Sequence, residues 1–377
     1  GYYYLLSRER ITGRSHPLLD RPGSRNTLRF PLLFSPNGAA AGFGDSNAFF
    51  PLPFHYAAAQ RYGMADVIAE LDRRFERIAR RNPASLNDSG PWPGLAEYLL
   101  LRPDAAPAAG AAGAWPRVSV QCGIEWSCLA DQWPEPRLYA SVRGGTTDAP
   151  HTHQDLTSLF VVVGRERLIY NVGEGDYIDT TFSNRRYELY ELSAASKNIM
   201  LVNGVGLPHP ARVTTRQIHG EGWEGVLLDG TEAVSVGTKV REYRRAVIMI
   251  GTTALLVVDR VAMEHAGLAE ARFHTYGAVR PGKSSATIRE KGETLRLAFA
   301  ASAPAKIKLG LGLPLLSQSK PDQIIRWMAS GKHTDVTLAT LMTPNGAGRV
   351  SVDAKRLLVR ARGRGFDIAI TYTFPIP

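Results

Sequence analysis

The stretch GGTTDAPHTHQDLTSLF, residues 144–160, places two histidines and a carboxylate within five residues, at His151, His153 and Asp155. An apolar run, Leu159–Val163, follows directly. If the stretch is extended, residues two apart point to one face of a strand, so these three side chains line one surface. Imidazole transfers protons near neutral pH and is also the commonest metal ligand. The stretch therefore indicates either acid–base chemistry or metal binding.

The composition limits the classes of partner. The 377-residue chain has 45 Lys and Arg against 35 Asp and Glu, a net charge of +10 and a pI near 9.7. Such a charge favours a polyanion, which is nucleic acid, an anionic membrane surface or an acidic polysaccharide, although it equally suits mere solubility. The sequence has no recognisable nucleic-acid motif. No apolar run approaches the roughly 18 residues that cross a membrane. We therefore expect neither nucleic acid nor a membrane as partner.

The predicted secondary structure divides the chain into two parts. Residues 1–105 are predicted to be helical, with helical periodicity over Ala57–Arg81 and a long loop or short hairpin over Arg21–Asp45. A low-complexity linker is expected over 106–116. Residues 117–377 are predicted to be an antiparallel β-sandwich, because short β-rich runs recur between turn residues. These runs are 159–163, 168–170, 199–202, 246–250, 254–258, 294–298, 335–343, 357–361 and 366–373. The segment Phe182–Ser196 is expected to form an irregular loop or short helix.

Several blocks carry a family resemblance, and they occur in the order of that family. They are Gly42-Phe43-Gly44-Asp45, Val142-Arg143-Gly144-Gly145 with the His-x-His-x-Asp stretch, Leu168-Ile169-Tyr170-Asn171-Val172-Gly173, Ser196-Lys197-Asn198-Ile199 and Arg244-Arg245-Ala246. Together they resemble the C-terminal part of the heparinase II/III-like polysaccharide lyases, to which alginate and oligoalginate lyases are related. The resemblance implies an α+β multidomain fold, in which the end of an incomplete (α/α) toroid precedes an antiparallel β-sandwich. It also implies that most of the toroid, with the residue that neutralises the substrate carboxylate, is missing from this chain.

The resemblance implies a catalytic histidine and a catalytic tyrosine. His151 matches the histidine, and the alternative is a histidine that packs or caps the turn after Pro150. Tyr2 and Tyr3 are the candidates for the tyrosine, with Tyr3 preferred, and the alternative is an aromatic cluster in the helical core. In lyases of this kind Tyr and His act as acid and base.

A metal ligand is implied at His153, usually for zinc. The resemblance places an Asp at position 171 and a His at position 197, but this chain has Asn171 and Lys197 there. We therefore expect no cofactor and treat a zinc or other divalent metal site as doubtful. One hypothesis is that the Lys197 ammonium takes the place of the metal, with His153 and Asn171 accepting its hydrogen bonds. Asp155 is a candidate to bind the metal or to orient a histidine, and a structural role at a strand edge is preferred to both.

Substrate contacts are expected in the segment that follows. The resemblance brings Tyr177, Arg185, Arg186 and Tyr190 towards the cleft, where arginines can bind carboxylates or sulfates. The alternative is a solvated loop. His209, His219 and His274 are expected to be structural, and three tryptophans are expected to pack in the core. These are Trp126, Trp133 and Trp223.

Three functions remain open at this stage. The first is a polysaccharide lyase that cleaves a glycosaminoglycan or alginate type of uronic-acid polymer by β-elimination, with a periplasmic or secreted bacterial location by resemblance. The second is a non-catalytic protein that retains the lyase fold and binds acidic glycans or assists exopolysaccharide assembly. A metal-dependent cupin-like enzyme is the third, and the long helical segment argues against it. The sequence leaves the oligomeric state open.

Overall fold

The computed structural model describes residues 1–45, 53–81, 101–102, 115–121, 123–173, 177–315, 320–344 and 346–372. The chain divides into two compact units, 1–40 with 48–115, and 41–47 with 116–377. Segment 41–47 thus belongs to the second unit. The sequence prediction, with its domain boundary at 106–116, assigned this segment to the helical part. Most of that linker, 106–114, lies outside the described residues.

The first unit is helical in its described part. Its helices are α1 (Tyr2–Thr12), α2 (Pro22–Thr27), α3 (Phe30–Leu33), α4 (Pro53–Arg61) and α5 (Ala65–Arg81), with a 3₁₀ turn at Pro36–Gly38. The prediction of a loop or hairpin over Arg21–Asp45 is wrong for 22–38, where proline begins α2 and the 3₁₀ turn at positions that need no backbone N–H.

The helical run predicted over Ala57–Arg81 is interrupted. Gly63 adopts φ +61°, a left-handed conformation that ends α4 before α5 begins. Apolar side chains of α5 at helical spacing, Val67, Ile68 and Leu71, are buried in the core of this unit. Asp66, in the first turn of α5, pairs with Arg29 at 2.7 Å. The break therefore turns one predicted helix into two that pack together.

In its described part the second unit is built from antiparallel strands, one short α-helix, α6 (Thr231–Thr238), and three 3₁₀ helices. The strands are β1 (Val118–Gln121), β2 (Trp126–Ala130), β3 (Leu138–Arg143), β4 (Gly145–Thr146), β5 (Leu159–Val163), β6 (Glu166–Ile169), β7 (Met200–Val202), β8 (Arg212–Gly220), β9 (Trp223–Asp229), β10 (Val240–Ile250), β11 (Ala254–Gly267), β12 (Ala269–Thr275), β13 (Ala278–Pro281), β14 (Ser285–Glu290), β15 (Glu293–Ala301), β16 (Ala305–Leu311), β17 (Gln323–Ala329), β18 (His333–Pro344), β19 (Arg349–Asp353), β20 (Leu358–Gly363) and β21 (Phe366–Thr371). Every β run predicted from the sequence overlaps one of these strands.

Four sheets form among the described residues. Their strand orders are β1-β2-β3-β5-β6, β13-β14-β15-β18-β11-β10-β9-β8-β4, β16-β17-β12-β7 and β19-β20-β21. The nine-stranded sheet is apolar on both faces, as β10 shows. Val247 and Met249 enter a core shared with the five- and four-stranded sheets, whereas Ala246 and Ile248 enter a core shared with the three-stranded sheet. The period of two along the strand thus separates two cores.

The His-x-His-x-Asp stretch is not a strand. Residues 151–155 lie in the irregular connection between β4 and β5, and His151 has φ +60°. The prediction that His151, His153 and Asp155 line one strand face is therefore wrong. Three 3₁₀ helices follow in the predicted irregular segment 182–196, at Arg186–Glu188, Tyr190–Leu192 and Ala194–Ser196.

Candidate functional site

A short segment from far upstream holds the histidine loop. Phe43 packs against Trp126 and Phe160, with ring centroids 5.2 and 5.5 Å away. The next residue, Gly44, has φ +67°, and a Cβ there would lie 2.4 Å from the His151 carbonyl oxygen. Only glycine allows this close approach. The Asp45 amide then donates to the same oxygen at 3.0 Å.

Asp155 also holds the upstream segment and the histidine loop together, through a buried carboxylate. Its fully buried carboxylate accepts from the Gly44 amide at 3.2 Å and from the Arg143 guanidinium. Asp155 therefore joins the loop to the upstream segment and to β3. Of its expected roles, the contacts show the structural one.

The Asp45 carboxylate gathers four donors. Oδ1 accepts from His153 Nε2 and Arg186 Nη2, both at 2.8 Å, and Oδ2 accepts from His151 Nδ1 at 2.7 Å and Tyr177 Oη at 3.4 Å. These five residues are called the Asp45 cluster. Burial alone would raise the pKa of Asp45, but the hydrogen bonds of the two histidines and the charge of Arg186 hold it well below its usual range. Asp45 is therefore a carboxylate at neutral pH and acts only as an acceptor.

This acceptor fixes both histidine tautomers. His151 must carry its hydrogen on Nδ1, which leaves the Nε2 lone pair open. Its side chain is 57% exposed, and Nε2 has no partner among the described residues. His151 also has a left-handed backbone conformation, which is uncommon outside glycine. His151 therefore presents a basic nitrogen at the surface of the second unit.

His153 faces the other way and is buried. Its Nε2–H donates to Asp45, so Nδ1 is free to accept from Lys197 Nζ at 3.1 Å. Burial, with the nearby Lys197 charge, lowers the pKa of His153 to about 4. The ring is therefore neutral and connects the ammonium to the carboxylate.

Lys197 is fully buried and uses all three of its N–H donors. Besides His153 it donates to the carbonyls of Glu191, at 2.6 Å, and Val172. Burial lowers the pKa of Lys197 to about 8. The predicted contact with His153 is present, whereas the predicted contact with Asn171 is not. The Asn171 Oδ1 atom accepts from Ser158 Oγ at 2.7 Å instead.

The two arginines expected to bind substrate differ. Arg186 is buried, and its guanidinium donates to Asp45, to the Thr181 carbonyl at 2.7 Å and to the Thr152 carbonyl at 3.3 Å. Its position differs from the prediction because one residue along a 3₁₀ turn changes the direction of the side chain. Arg185 is exposed and pairs with Glu188 at 2.7 Å. Only Arg185 faces solvent.

The two tyrosines also differ. Tyr177 is exposed and stands beside Phe182, which is exposed as well and meets both the Tyr177 and His151 rings edge-on. Tyr190 is half-buried and donates to Asp322 at 3.1 Å rather than to the Asp45 cluster. Burial raises the pKa of Tyr190 far above its usual value. The rim of the cluster is thus aromatic, and Phe182 is a member that the sequence did not indicate.

The model of the heparinase II/III-like C-terminal domain matches residues 137–352, more than half of the chain. This chain belongs to the heparinase II/III-like family. No curated protein matches its sequence significantly. No helix in the described part of the chain has the length and apolarity needed to cross a membrane.

Solved structures share the fold of this family member. It is similar to a heparinase III gene product (TM-score 0.67, 12% identity, 93% of this chain and 52% of that one). It is also similar to a crystal structure of heparinase III (0.63, 13%, 93% and 54%) and to the heparan sulfate lyase HepC of Pedobacter heparinus (0.60, 9%, 94% and 62%). The chain thus spans about half the length of the first of these proteins. The predicted fold class, the end of an (α/α) toroid followed by an antiparallel β-sandwich, is confirmed.

The donors around His153 do not fit the zinc that the family resemblance implies. Both ring nitrogens of His153 are engaged, by Asp45 and by the Lys197 ammonium. Zinc needs three or four N, O or S donors, and no group of three His, Cys, Asp or Glu side chains suited to a metal occurs among the described residues. A lysine ammonium next to a ligand nitrogen also repels a second cation. In this heparinase II/III-like chain the cation in contact with His153 Nδ1 is the Lys197 ammonium.

The candidate catalytic tyrosines lie in the first unit. The Tyr2 hydroxyl donates to the Ser24 carbonyl, and burial raises the pKa of Tyr2 to about 12. Tyr3 is 41% exposed and meets Phe54 edge-on. The Tyr2 hydroxyl is already engaged and hard to ionise, which argues against Tyr2 as a proton-transfer group.

Asp45 is the residue of the candidate site that the sequence did not indicate. It lies 106 residues before His151, so no local spacing joins them. The Gly42-Phe43-Gly44-Asp45 block was visible as part of the family resemblance, but it gave no reason to assign Asp45 a role. The two glycines around an aromatic residue were the available indication of a tight backbone approach.

Proposed function

We propose that this chain is the C-terminal part of a polysaccharide lyase that cleaves a uronic-acid-containing acidic polysaccharide by β-elimination. In this reaction a base removes the C5 proton next to the uronate carboxylate, and an acid protonates the O4 leaving oxygen. The observation that supports the proposal best is the exposed Nε2 of His151, whose ring is oriented by the buried Asp45 carboxylate. Family membership agrees with it.

His151 has the geometry of a proton-transfer group. With Nδ1–H held by Asp45, its Nε2 lone pair can take a proton from substrate, and the Asp45 carboxylate stabilises the imidazolium that forms. The hydrogen bonds of His153 and His151 and the charge of Arg186 keep Asp45 ionised. Tyr3, or less favourably Tyr2, is proposed as the second proton-transfer group. The order of their roles depends on the stereochemistry of the uronate.

The rim of the Asp45 cluster suits a sugar acid. Tyr177 and Phe182 offer exposed ring faces on which a pyranose can stack, and Arg185 offers a guanidinium for a carboxylate or sulfate. The net charge of +10 favours such an acidic polymer. Glycosaminoglycans, including heparin and heparan sulfate, and alginate are the proposed substrate classes. A periplasmic or secreted location is part of this proposal, and a substrate of this size agrees with it.

The test uses the full-length protein and the ultraviolet absorbance of the unsaturated uronate product. Alginate, heparin, heparan sulfate, hyaluronan and chondroitin sulfate are the substrates. We expect activity on at least one, and a fall of about 10²- to 10⁴-fold for His151→Ala, which loses acid–base catalysis. His219→Ala, an exposed histidine of β8, is the control and keeps the wild-type rate. Absence of product from every polymer argues against the lyase proposal.

One observation favours a second candidate, a non-catalytic protein that retains the lyase fold and binds acidic glycans or assists exopolysaccharide assembly. Asn171 and Lys197 stand where the resemblance implies metal ligands, and such a replacement is compatible with lost catalysis. Binding of heparin or alginate without product, unchanged by His151→Ala, would favour this candidate over the lyase.

A further inference from the structure

The β13–β14 hairpin ends the nine-stranded sheet and presents a cationic outer face. Along the hairpin, Ala286 and Ile288 point into the core and Val279 packs against it. The alternate residues point outwards, and they include Arg280, Thr287 and Arg289. The sequence alternation thus separates an apolar inner face from a basic outer face.

The register brings the two arginines together. Arg280 lies opposite Thr287 and Ala278 lies opposite Arg289, so Arg280 and Arg289 are diagonal neighbours on adjacent strands. Neither guanidinium has an acidic partner within the described part of the chain. They line a cavity of about 390 Å³ together with the hydroxyl groups of Ser285 and Thr287, and no acidic side chain lines it. Two unpaired guanidiniums beside two hydroxyls form a site for an anion.

A second cavity of about 560 Å³ adjoins the first and shares Ala278 and Arg289 with it. Tyr276 and Gln323 contribute a half-buried ring and an amide. Lys320 adds a cation, as does Lys291, which is paired with Glu166 at 3.3 Å. Its lining also includes the carboxylates Glu290 and Glu293. The two cavities are together called the hairpin groove. No residue of the Asp45 cluster lines it.

We infer that the hairpin groove is a second binding site for the acidic glycan, separate from the Asp45 cluster; this rests on the proposed function. Guanidiniums bind carboxylates and sulfates through paired N–H donors, and hydroxyl and amide groups bind sugar hydroxyls. Arg280 on β13 and Arg289 on β14 are diagonal neighbours, and Ser285 and Thr287 lie at every second residue of β14, roughly 7 Å apart. The groove therefore offers two charged and two hydroxyl contacts to one extended polymer. The groove binds one part of the polysaccharide while another part is at His151.

The experiment measures binding in a His151→Ala background, so that turnover is not needed. Fluorescently labelled heparin, with sulfates and carboxylates, and labelled alginate, with carboxylates alone, are titrated at low salt. Arg280→Glu with Arg289→Glu is compared with Arg349→Glu and Arg364→Glu, two exposed arginines of the three-stranded sheet and its β20–β21 turn. Both double variants change the net charge equally. We expect the groove variant to weaken binding about tenfold and the control less than twofold.

Two results overturn the inference, namely no loss in the groove variant or an equal loss in both variants, which would reflect net charge alone. Arg280→Gln with Arg289→Gln removes the charges without adding repulsion, and its thermal melting reports folding. It is expected to show a smaller loss in the same direction. If the wild-type protein binds polymer without cleaving it, the lyase proposal fails, yet this comparison still decides the groove.

Discussion

Two clusters in the second unit contain the same three types of side chain, an aspartate, a histidine and a tyrosine. In one, Asp45 accepts from His151 Nδ1 at 2.7 Å and from Tyr177 Oη at 3.4 Å. In the other, Asp322 accepts from His274 Nδ1 at 2.7 Å and from Tyr190 Oη at 3.1 Å. The His151 side chain is 57% exposed, whereas that of His274 is fully buried. The two clusters have the same types of side chain, but solvent reaches the histidine of the first and not that of the second.

The backbone explains the difference. His274 lies on β12 between β17 and β7, and burial lowers its pKa. Its Nε2 is buried without a hydrogen-bond partner within the described residues. His151 instead lies on a left-handed turn outside any strand, which the Gly44–Asp45 segment holds in place. Of these two clusters, the one on the irregular loop is the candidate reactive site, because that loop exposes one nitrogen of its histidine.

The largest expected effect separates the two aspartates. Asp45→Asn replaces an acceptor oxygen by an N–H₂ group, so one histidine loses its partner and the imidazolium loses its counter-charge. We expect kcat/KM to fall by about 10²- to 10⁴-fold, as for the aspartate of a catalytic triad. Asp322→Asn should leave the rate within about threefold and lower the free energy of unfolding by about 1–3 kcal/mol.

Initial rates of absorbance increase and urea denaturation measure the two effects on the same preparations. Asp45→Asn also weakens the buried contact with Arg186, so rates are normalised to the folded fraction. Equal rate losses in the two variants would show that access does not distinguish the clusters.

The sequence predicted the fold better than the site. The β-rich composition of runs such as 246–250 is a local property, and it predicted the strands correctly. This run is apolar throughout because both faces of the central sheet are buried. Strand order depends on pairings between distant segments, such as β11 with β18, which no local pattern contains. The single residue Gly63 divided a helix that periodicity alone made continuous.

The candidate site also depends on contacts between distant segments, which no local pattern in the sequence contains. The histidines were found because they are neighbours in sequence, but the carboxylate they share is over 100 residues away. The direction of Arg185 and Arg186 depends on a 3₁₀ turn whose register the sequence does not define. The Lys197–His153 contact could be anticipated because a cation at an implied metal position needs the same nitrogen acceptor.

A smaller effect sharpens the contrast between the inner and outer histidines of the Asp45 cluster. Burial lowers the pKa of His153 to about 4, below the ordinary value of 6.5. Between pH 6.5 and 4 the unfolded chain therefore binds a proton at this position that the folded protein does not, and stability falls as pH falls. For His153 alone the loss between pH 7 and 4.5 is about 2–3 kcal/mol.

Urea denaturation of the wild type and of His153→Asn at both pH values isolates this contribution. The variant is expected to be less stable at pH 7 but to lose less on acidification, because the titrating ring is gone. His219→Asn, an exposed histidine, serves as the matched control and should follow the wild type. An identical acid loss in His153→Asn and wild type would mean that the ring accepts a proton within the fold.

The smallest effect concerns the tyrosines. It tests whether the activity proposed for the Asp45 cluster depends on the aromatic side chains at its rim. Tyr177→Phe removes the longest of the four hydrogen bonds to Asp45 and keeps the ring against Phe182, so the rate should fall less than about threefold, with stability unchanged within about 0.5 kcal/mol. Tyr190→Phe removes a shorter bond from a half-buried site and should cost about 1 kcal/mol of stability without affecting the rate. Tyr177→Ala, which removes the ring as well, should raise KM more than it lowers kcat if the ring stacks on substrate. A fall in kcat for Tyr177→Phe as large as that for Asp45→Asn would instead make the hydroxyl a proton-transfer group, and the role assigned to Tyr3 would pass to Tyr177.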